Sequence, residues 1–139
     1  MREILFRGKR TDCEAWVEGD LIQAFRGNQL SSCSIMPNTP TAYCWKVIPE
    51  TVGQYTGLTD KNGVKIFEGD ICKFKRFNDV HVGKVVFNVT TASFIMWYQP
   101  IVGAYGEKAT QKMLLSVCDG IEVIGNIYDN PELLENSSP

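Results

Sequence analysis

The segment Gln54-Tyr55-Thr56-Gly57-Leu58-Thr59 runs into Asp60-Lys61-Asn62-Gly63 and then into Val64-Lys65-Ile66-Phe67. Two β-rich runs either side of a polar turn constrain this chain more than any other feature. Asn62 and Gly63 both tolerate positive φ, and the right-handed twist of paired strands asks for it in a tight hairpin turn. The pattern predicts an antiparallel hairpin, and the same grammar of short strands and turns governs most of the remaining sequence. Sustained spacing at i, i+3, i+4 and i+7, the mark of an amphipathic helix, is nearly absent.

Downstream, Ile71 to Phe77 alternates, with Cys72 and Phe74 on one side and Lys73 and Lys75 on the other, as on a half-buried strand. A turn at Asn78-Asp79 leads to a strand over residues 80–87, and Ser93 to Tyr98 reads as a strand apolar on both faces. Residues 26–49 are irregular, punctuated by Gly27-Asn28, Pro37-Asn38 and Thr39-Pro40, with a strand over 42–47. Glu107 to Val117 is the one interior helix candidate, from the spacing of Ala109, Met113, Leu114 and Val117. Residues 121–128 read as a last strand. Asn130-Pro131 then opens a short C-terminal helix, a capping side chain preceding proline at the first helical position.

A length of 139 residues with 44% hydrophobic and 22% charged side chains fits one domain or two small lobes and excludes a disordered chain. Lys and Arg number 14 against 16 Asp and Glu, so the net charge is −2. That argues against a globally basic nucleic-acid binder but leaves room for a local patch. No apolar run approaches the ~20 residues of a membrane span. The N-terminal segment lacks the apolar core of a secretory signal, so a cytoplasmic location is expected. Five scattered cysteines, Cys13, Cys33, Cys44, Cys72 and Cys118, then read as reduced thiols.

Two segments echo each other: Trp16-Val17-Glu18-Gly19-Asp20-Leu21-Ile22 and Ile66-Phe67-Glu68-Gly69-Asp70-Ile71-Cys72. The simpler reading makes both glycine turns with capping carboxylates, placing Gly19, Asp20, Gly69 and Asp70 beside Asn62 and Gly63 as structural turn residues. The sharper one gathers Glu18, Asp20, Glu68 and Asp70 into a carboxylate cluster for metal binding or acid–base chemistry.

The string from Gln54 to Ile71, ending Ile66-Phe67-Glu68-Gly69-Asp70-Ile71, resembles the signature of the YopX family of phage- and prophage-encoded proteins. The opening Ile4-Leu5-Phe6-Arg7-Gly8 with Trp16 to Leu21 agrees, as does the closing segment from Glu122 to Leu134. The resemblance implies a β-rich protein of phage or prophage origin in a bacterial host cell. It implies no catalytic residues.

Other chemistry finds little support. There is no C-x-x-C pair, and His81 is the only histidine, so neither a zinc site nor a Cys–His nucleophile is expected. No cofactor is expected either. Pairing about Asn78-Asp79 sets Cys72 near residue 84 or 85 and leaves His81 an ordinary strand residue. Lys73, Lys75, Arg76 and Lys84 cluster on adjacent strands near Phe77 and Phe87, the makings of a nucleic-acid surface. The same lysines equally suit a solvated sheet face. The 7 Phe, 5 Tyr and 3 Trp are many for a small β core, and Trp45, Trp97, Tyr98 and Tyr105 fall where an interface could lie.

The sequence therefore predicts a mainly β fold of short antiparallel strands, forming a small barrel or twisted sheets with a short C-terminal helix. Residues 1–52 form an N-terminal β-lobe with an irregular loop, 53–136 a barrel-like lobe with the helix, and 137–139 a frayed tail. The expected role is that of a non-enzymatic phage or prophage accessory protein acting through protein contacts, as a homo-oligomer or with another phage or host protein. A nucleic-acid-binding β module is the alternative, and a carboxylate-dependent enzyme stands third.

Overall fold

The computed structural model describes residues 1–38, 43–99, 101–102, 107–108 and 111–135. Its strands are β1 (Phe6–Lys9), β2 (Trp16–Arg26), β3 (Gln29–Pro37), β4 (Trp45–Lys46), β5 (Gly53–Thr59), β6 (Lys65–Phe67) and β7 (Asp70–Arg76). They continue with β8 (Asp79–Asn88), β9 (Ser93–Tyr98), β10 (Ile101–Val102), β11 (Glu107–Lys108), β12 (Gln111–Leu114) and β13 (Asp119–Asn126). Two 3-10 turns cover Pro49–Thr51 and Leu115–Val117, and one helix, α1, covers Glu132–Glu135. The fold is mainly β, as expected, but its sheets stay open and do not close into a barrel. The chain divides into two compact units, Met1–Gly57 and Leu58–Pro139, so the division falls inside β5. Among the described residues no helix is long and apolar enough to cross a membrane.

In the first unit the strand order is β4-β3-β2-β1-β5, and β6, the return arm of the β5 hairpin, belongs to the second. Cys33, Ile35 and Val47 are buried together, with Phe6, Val17, Leu21 and Val52 packed against them. Thr51 joins β1 to the turn after β4: its Oγ1 accepts the Lys9 N–H at 2.9 Å and donates to the Ile48 carbonyl at 2.6 Å. Both partners of that hydroxyl are backbone groups, so the turn is held by bonds the sheet itself does not provide.

In the second unit a five-stranded sheet has the order β12-β9-β8-β7-β13. The alternation expected on β7 is present: Cys72 and Phe74 are buried while Lys73 and Lys75 are exposed. Ile66, Cys72, Phe74, Val85, Met96, Tyr98, Leu115 and Ile121 form the core. Phe74 meets Tyr98 edge-on, with ring centroids 5.0 Å apart.

Three local expectations are corrected. The β7–β8 turn lies at Phe77-Asn78, where both residues have positive φ (51° and 68°), so Arg76 pairs with Asp79 and Cys72 with Gly83. The ladder slips by an even number of residues relative to a turn at Asn78-Asp79, and the buried and exposed faces are therefore conserved. Residues 111–117 are strand and 3-10 turn, not helix, because β12 pairs along β9, Met113 opposite Met96; Ala109 lies outside the described residues. Residues 29–37, read as irregular, are β3, paired along β2. The C-terminal helix does begin after Asn130-Pro131, but the Asn130 side chain accepts from the Asn126 N–H at 3.2 Å.

The β5–β6 turn centres on Asp60. Its backbone N–H donates to the Val64 carbonyl at 2.7 Å, and its own carbonyl accepts the Gly63 N–H at 3.0 Å. Oδ1 accepts the N–H groups of Asn62 (2.8 Å) and Val64 (2.9 Å), and Oδ2 accepts that of Val123 at 3.0 Å. The adjoining Lys61 N–H donates to the Ile121 carbonyl at 2.9 Å. Of the two central residues only Gly63 takes positive φ, +82°; Asn62 does not. This is the three-residue hairpin loop in which a left-handed glycine closes a type I turn. Burial pushes the Asp60 carboxyl up, but the bonds from Val123, Val64 and Asn62, with the Lys61 ammonium, outweigh it and hold the group below its ordinary value.

Two outcomes follow for stability. Gly63→Val costs about 1 kcal/mol or more in denaturant unfolding, from backbone strain alone because open space surrounds the glycine; an unchanged midpoint refutes the turn. Asp60→Asn costs about 1–3 kcal/mol, since an amide cannot accept on both sides. A depressed carboxyl stabilises the fold above its unfolded value of 3.8, and that contribution is lost as pH falls through the lower folded value. In an acid titration of stability, Asp60→Asn therefore loses less than the wild type over that window.

Candidate functional site

Among the described residues the most exposed regular structure is the far half of the β2–β3 hairpin. Every residue from Ile22 to Ser32 is exposed, so neither face of this two-stranded arm packs on a core. Its pairing runs to Arg26 opposite Gln29 around Gly27-Asn28, with Gly27 at φ +60° supplying the first position of a two-residue turn. One extra residue, Ser31, interrupts the ladder between the Ala24–Ser32 and Phe25–Leu30 pairs, and its Oγ donates to the Ala24 carbonyl at 3.0 Å. The arm carries Ile22, Phe25 and Leu30 as exposed apolar side chains, Phe25 at 56%. Isolated two-stranded ribbons are marginal in water, and bare strand edges invite another strand. From Leu21 to Trp45 the only charge is Arg26, so the charged side chains that usually guard an edge are nearly missing. Sequence reading passed over this arm, although Gly27-Asn28 between apolar runs is a hairpin signal.

The basic cluster only partly assembles. Lys73, Lys75 and Lys84 share one face of the second sheet, because residues directly opposite in a ladder point the same way and Lys84 faces Ile71. Arg76 takes the other face, where its guanidinium lies 3.8 Å from the Met113 sulfur. Glu122 sits opposite Lys73 and Asp119 opposite Lys75 on β13, and Glu122 also pairs with Lys61 at 3.3 Å. Acids therefore sit beside two of the three lysines. The Lys84 ammonium lies over the Trp97 ring, 4.6 Å from its centroid. At the β7–β8 turn Phe77 is 82% exposed, and Arg76 stands 4.6 Å from its ring. A bulky residue at positive φ is a genuine outlier, held here by the two-residue turn it closes.

The aromatic residues proposed for an interface separate in the same way. Tyr98 is 6% exposed and belongs to the core, which removes it from any docking surface. Trp97 and Trp45 are half-buried, and Arg10 covers the Trp45 ring at 3.6 Å while chelating Asp12 at 2.9 and 2.6 Å. Tyr105 lies outside the described residues.

The Glu-Gly-Asp echo is not a structural repeat. Gly19 and Asp20 are not turn residues but lie within β2, where a Cβ on Gly19 would run into the Met36 backbone. Glu18 and Asp20 are exposed there. Gly69, in contrast, turns at φ +94° ahead of β7, and the buried Asp70 accepts the Phe67 N–H at 2.7 Å. Among the described residues no three His, Cys, Asp or Glu side chains gather to hold a metal ion. His81 faces Phe74 across the ladder and rests against Tyr98, centroids 5.0 Å apart, while Cys72 pairs with Gly83. Burial pushes the Cys118 thiol up to about 11, with Arg76 and Asp119 acting in opposite directions, so it is protonated at neutral pH and a poor nucleophile.

Residues 5–135 match the family described as YopX protein. No curated protein matches the sequence. Among solved structures, the chain is similar to protein EF1440 from Enterococcus faecalis, at 25% identity and a TM-score of 0.56, over 96% of this chain and 99% of that one.

Proposed function

The chain belongs to the YopX family, and on that premise we propose that it is a non-enzymatic phage or prophage accessory protein working through protein contacts in the bacterial cytoplasm. The single observation that carries this reading is the β2–β3 arm, exposed on both faces from Ile22 to Ser32 and almost without charge. A strand pair with no core of its own gains most when a partner supplies the missing face or edge. The chemistry of the remaining candidates points the same way. The carboxylates of Asp60 and Asp70 accept backbone N–H groups, and the Cys118 thiol stays protonated.

A second reading rests on the β7–β8 turn. Exposed Phe77 at the turn, continued along β7 by exposed Lys75 and Lys73 on one face, offers a ring on which a base could stack and ammoniums that could neutralise phosphates. The acids opposite those lysines weaken it, and it ranks second for that reason.

The two readings have separate tests. Residues 24–32 lie beyond the Gln23–Cys33 pair, so replacing them by Gly-Asn should close the hairpin there and keep the remaining pairs. The shortened protein should melt within a few degrees of the wild type and lose the proteins that full-length chain captures from phage-bearing cells. Capture of the same set by both overturns the arm reading. For the turn, a single-stranded oligonucleotide should bind more tightly as salt falls and about tenfold more weakly to Phe77→Ala; no binding at low salt removes it.

A further inference from the structure

On β2 the β1 ladder stops at the Phe6–Gly19 pair, so the strand edge from Asp20 to Arg26 has no sheet partner on that side among the described residues. The sequence along this free edge reads Asp20-Leu21-Ile22-Gln23-Ala24-Phe25-Arg26. Its five inner positions read the same in both directions, two apolar residues, one amide, two apolar residues, and its ends are complementary, an acid and a base. Asp20 and Arg26 are both exposed.

We propose that two copies of this chain join edge to edge along β2, antiparallel, about a two-fold axis through Gln23. This deepens the protein-contact reading of the arm and rests on it. In that register Asp20 of one copy stands opposite Arg26 of the other, twice by symmetry, and Leu21 stands opposite Phe25. Ile22 falls opposite Ala24, and Gln23 faces itself. Opposite residues in an antiparallel pair lie on the same face, about 4.5–5.5 Å apart at Cβ, so the charges meet their counterparts and the apolar groups meet apolar groups. Moving the axis to Ile22 sets Asp20 against Ala24 and Leu21 against Gln23, which loses both complementarities.

The other exposed edge of the arm does not compete. Gln29, Leu30, Ser31 and Ser32 on β3 hold no charge, so nothing there selects a register. A two-fold pairing along β2 is isologous and closes on itself, making a dimer and not a fibre. It also satisfies backbone groups along an edge that the sequence leaves nearly without charged guards.

Light scattering coupled to size exclusion of the full chain, at micromolar concentration, reads the result. The wild type should run as a dimer. Asp20→Arg and Arg26→Asp should each weaken it about tenfold or more, by setting like charges opposite one another, and the double exchange should regain most of the wild-type affinity. Both positions are exposed, so melting temperatures should stay close to the wild type in all three variants. A monomeric wild type overturns the proposal. So does an oligomer that either single reversal leaves unchanged, or one that the double exchange fails to restore. None of these outcomes touches the capture comparison with the shortened arm, which decides separately whether the arm makes protein contacts at all.

Discussion

One carboxylate joins parts of the second unit that the chain separates by 63 residues: Asp60, through Asn62, Val64 and Val123. It closes the β5–β6 turn with one oxygen and takes the backbone of β13 with the other. Lys61 adds a backbone bond to Ile121 and an ion pair to Glu122, so a single turn delivers three links to one strand. β13 in turn lies along β7, whose buried face supplies Cys72 and Phe74 to the core. A long-range sheet contact costs the entropy of closing a large loop, and side-chain-to-backbone bonds in a rigid turn offset part of that cost.

The arm of the first unit is the opposite case. Around Cys33, Ile35 and Val47 the β2–β3 pair packs against its neighbours, and beyond Ile22 it does not. The same two strands thus pass from a buried end, stabilised by apolar contact, to an end held by the backbone ladder and the Ser31 hydroxyl bond to the Ala24 carbonyl. Folding energetics give no reason to keep that second half, which loses conformational entropy without burying surface. The proposed second copy would supply one, since the Asp20-to-Arg26 edge is complementary to itself.

Much of the second unit was legible in the residues themselves. The turn at Asp60 to Gly63, the alternation through Cys72 and Lys73, and the helix start after Asn130-Pro131 depend on local rules of φ and pleat, the last through the fixed φ of proline and not through an Asn130 cap. Where reading failed, a distant neighbour decided the matter. The segment Glu107 to Val117 carries helical spacing, yet Gln111 to Leu114 within it becomes strand because β9 offers a hydrogen-bonding edge. Phe77 accepts a left-handed conformation that its side chain disfavours because the β7–β8 pairing around it is worth more. Of the candidate site, alternation places Lys73 and Lys75 on the outward face, but nothing local shows that Arg76 turns to the other side or that residues 29–37, irregular by their turn residues, pair along β2.

By itself, then, the order of residues determined that this protein would be built from short antiparallel strands with glycine and asparagine corners, because turn chemistry and period-two alternation act within a few residues. It also carried the family's signature through Glu68-Gly69-Asp70. Only tertiary structure decided that two matching Glu-Gly-Asp strings would serve as strand interior in one place and turn in the other. It alone buried Tyr98 and left Phe25 in water. Those outcomes turn on which surfaces meet, and burial is a property of the pair of surfaces, not of either sequence segment alone.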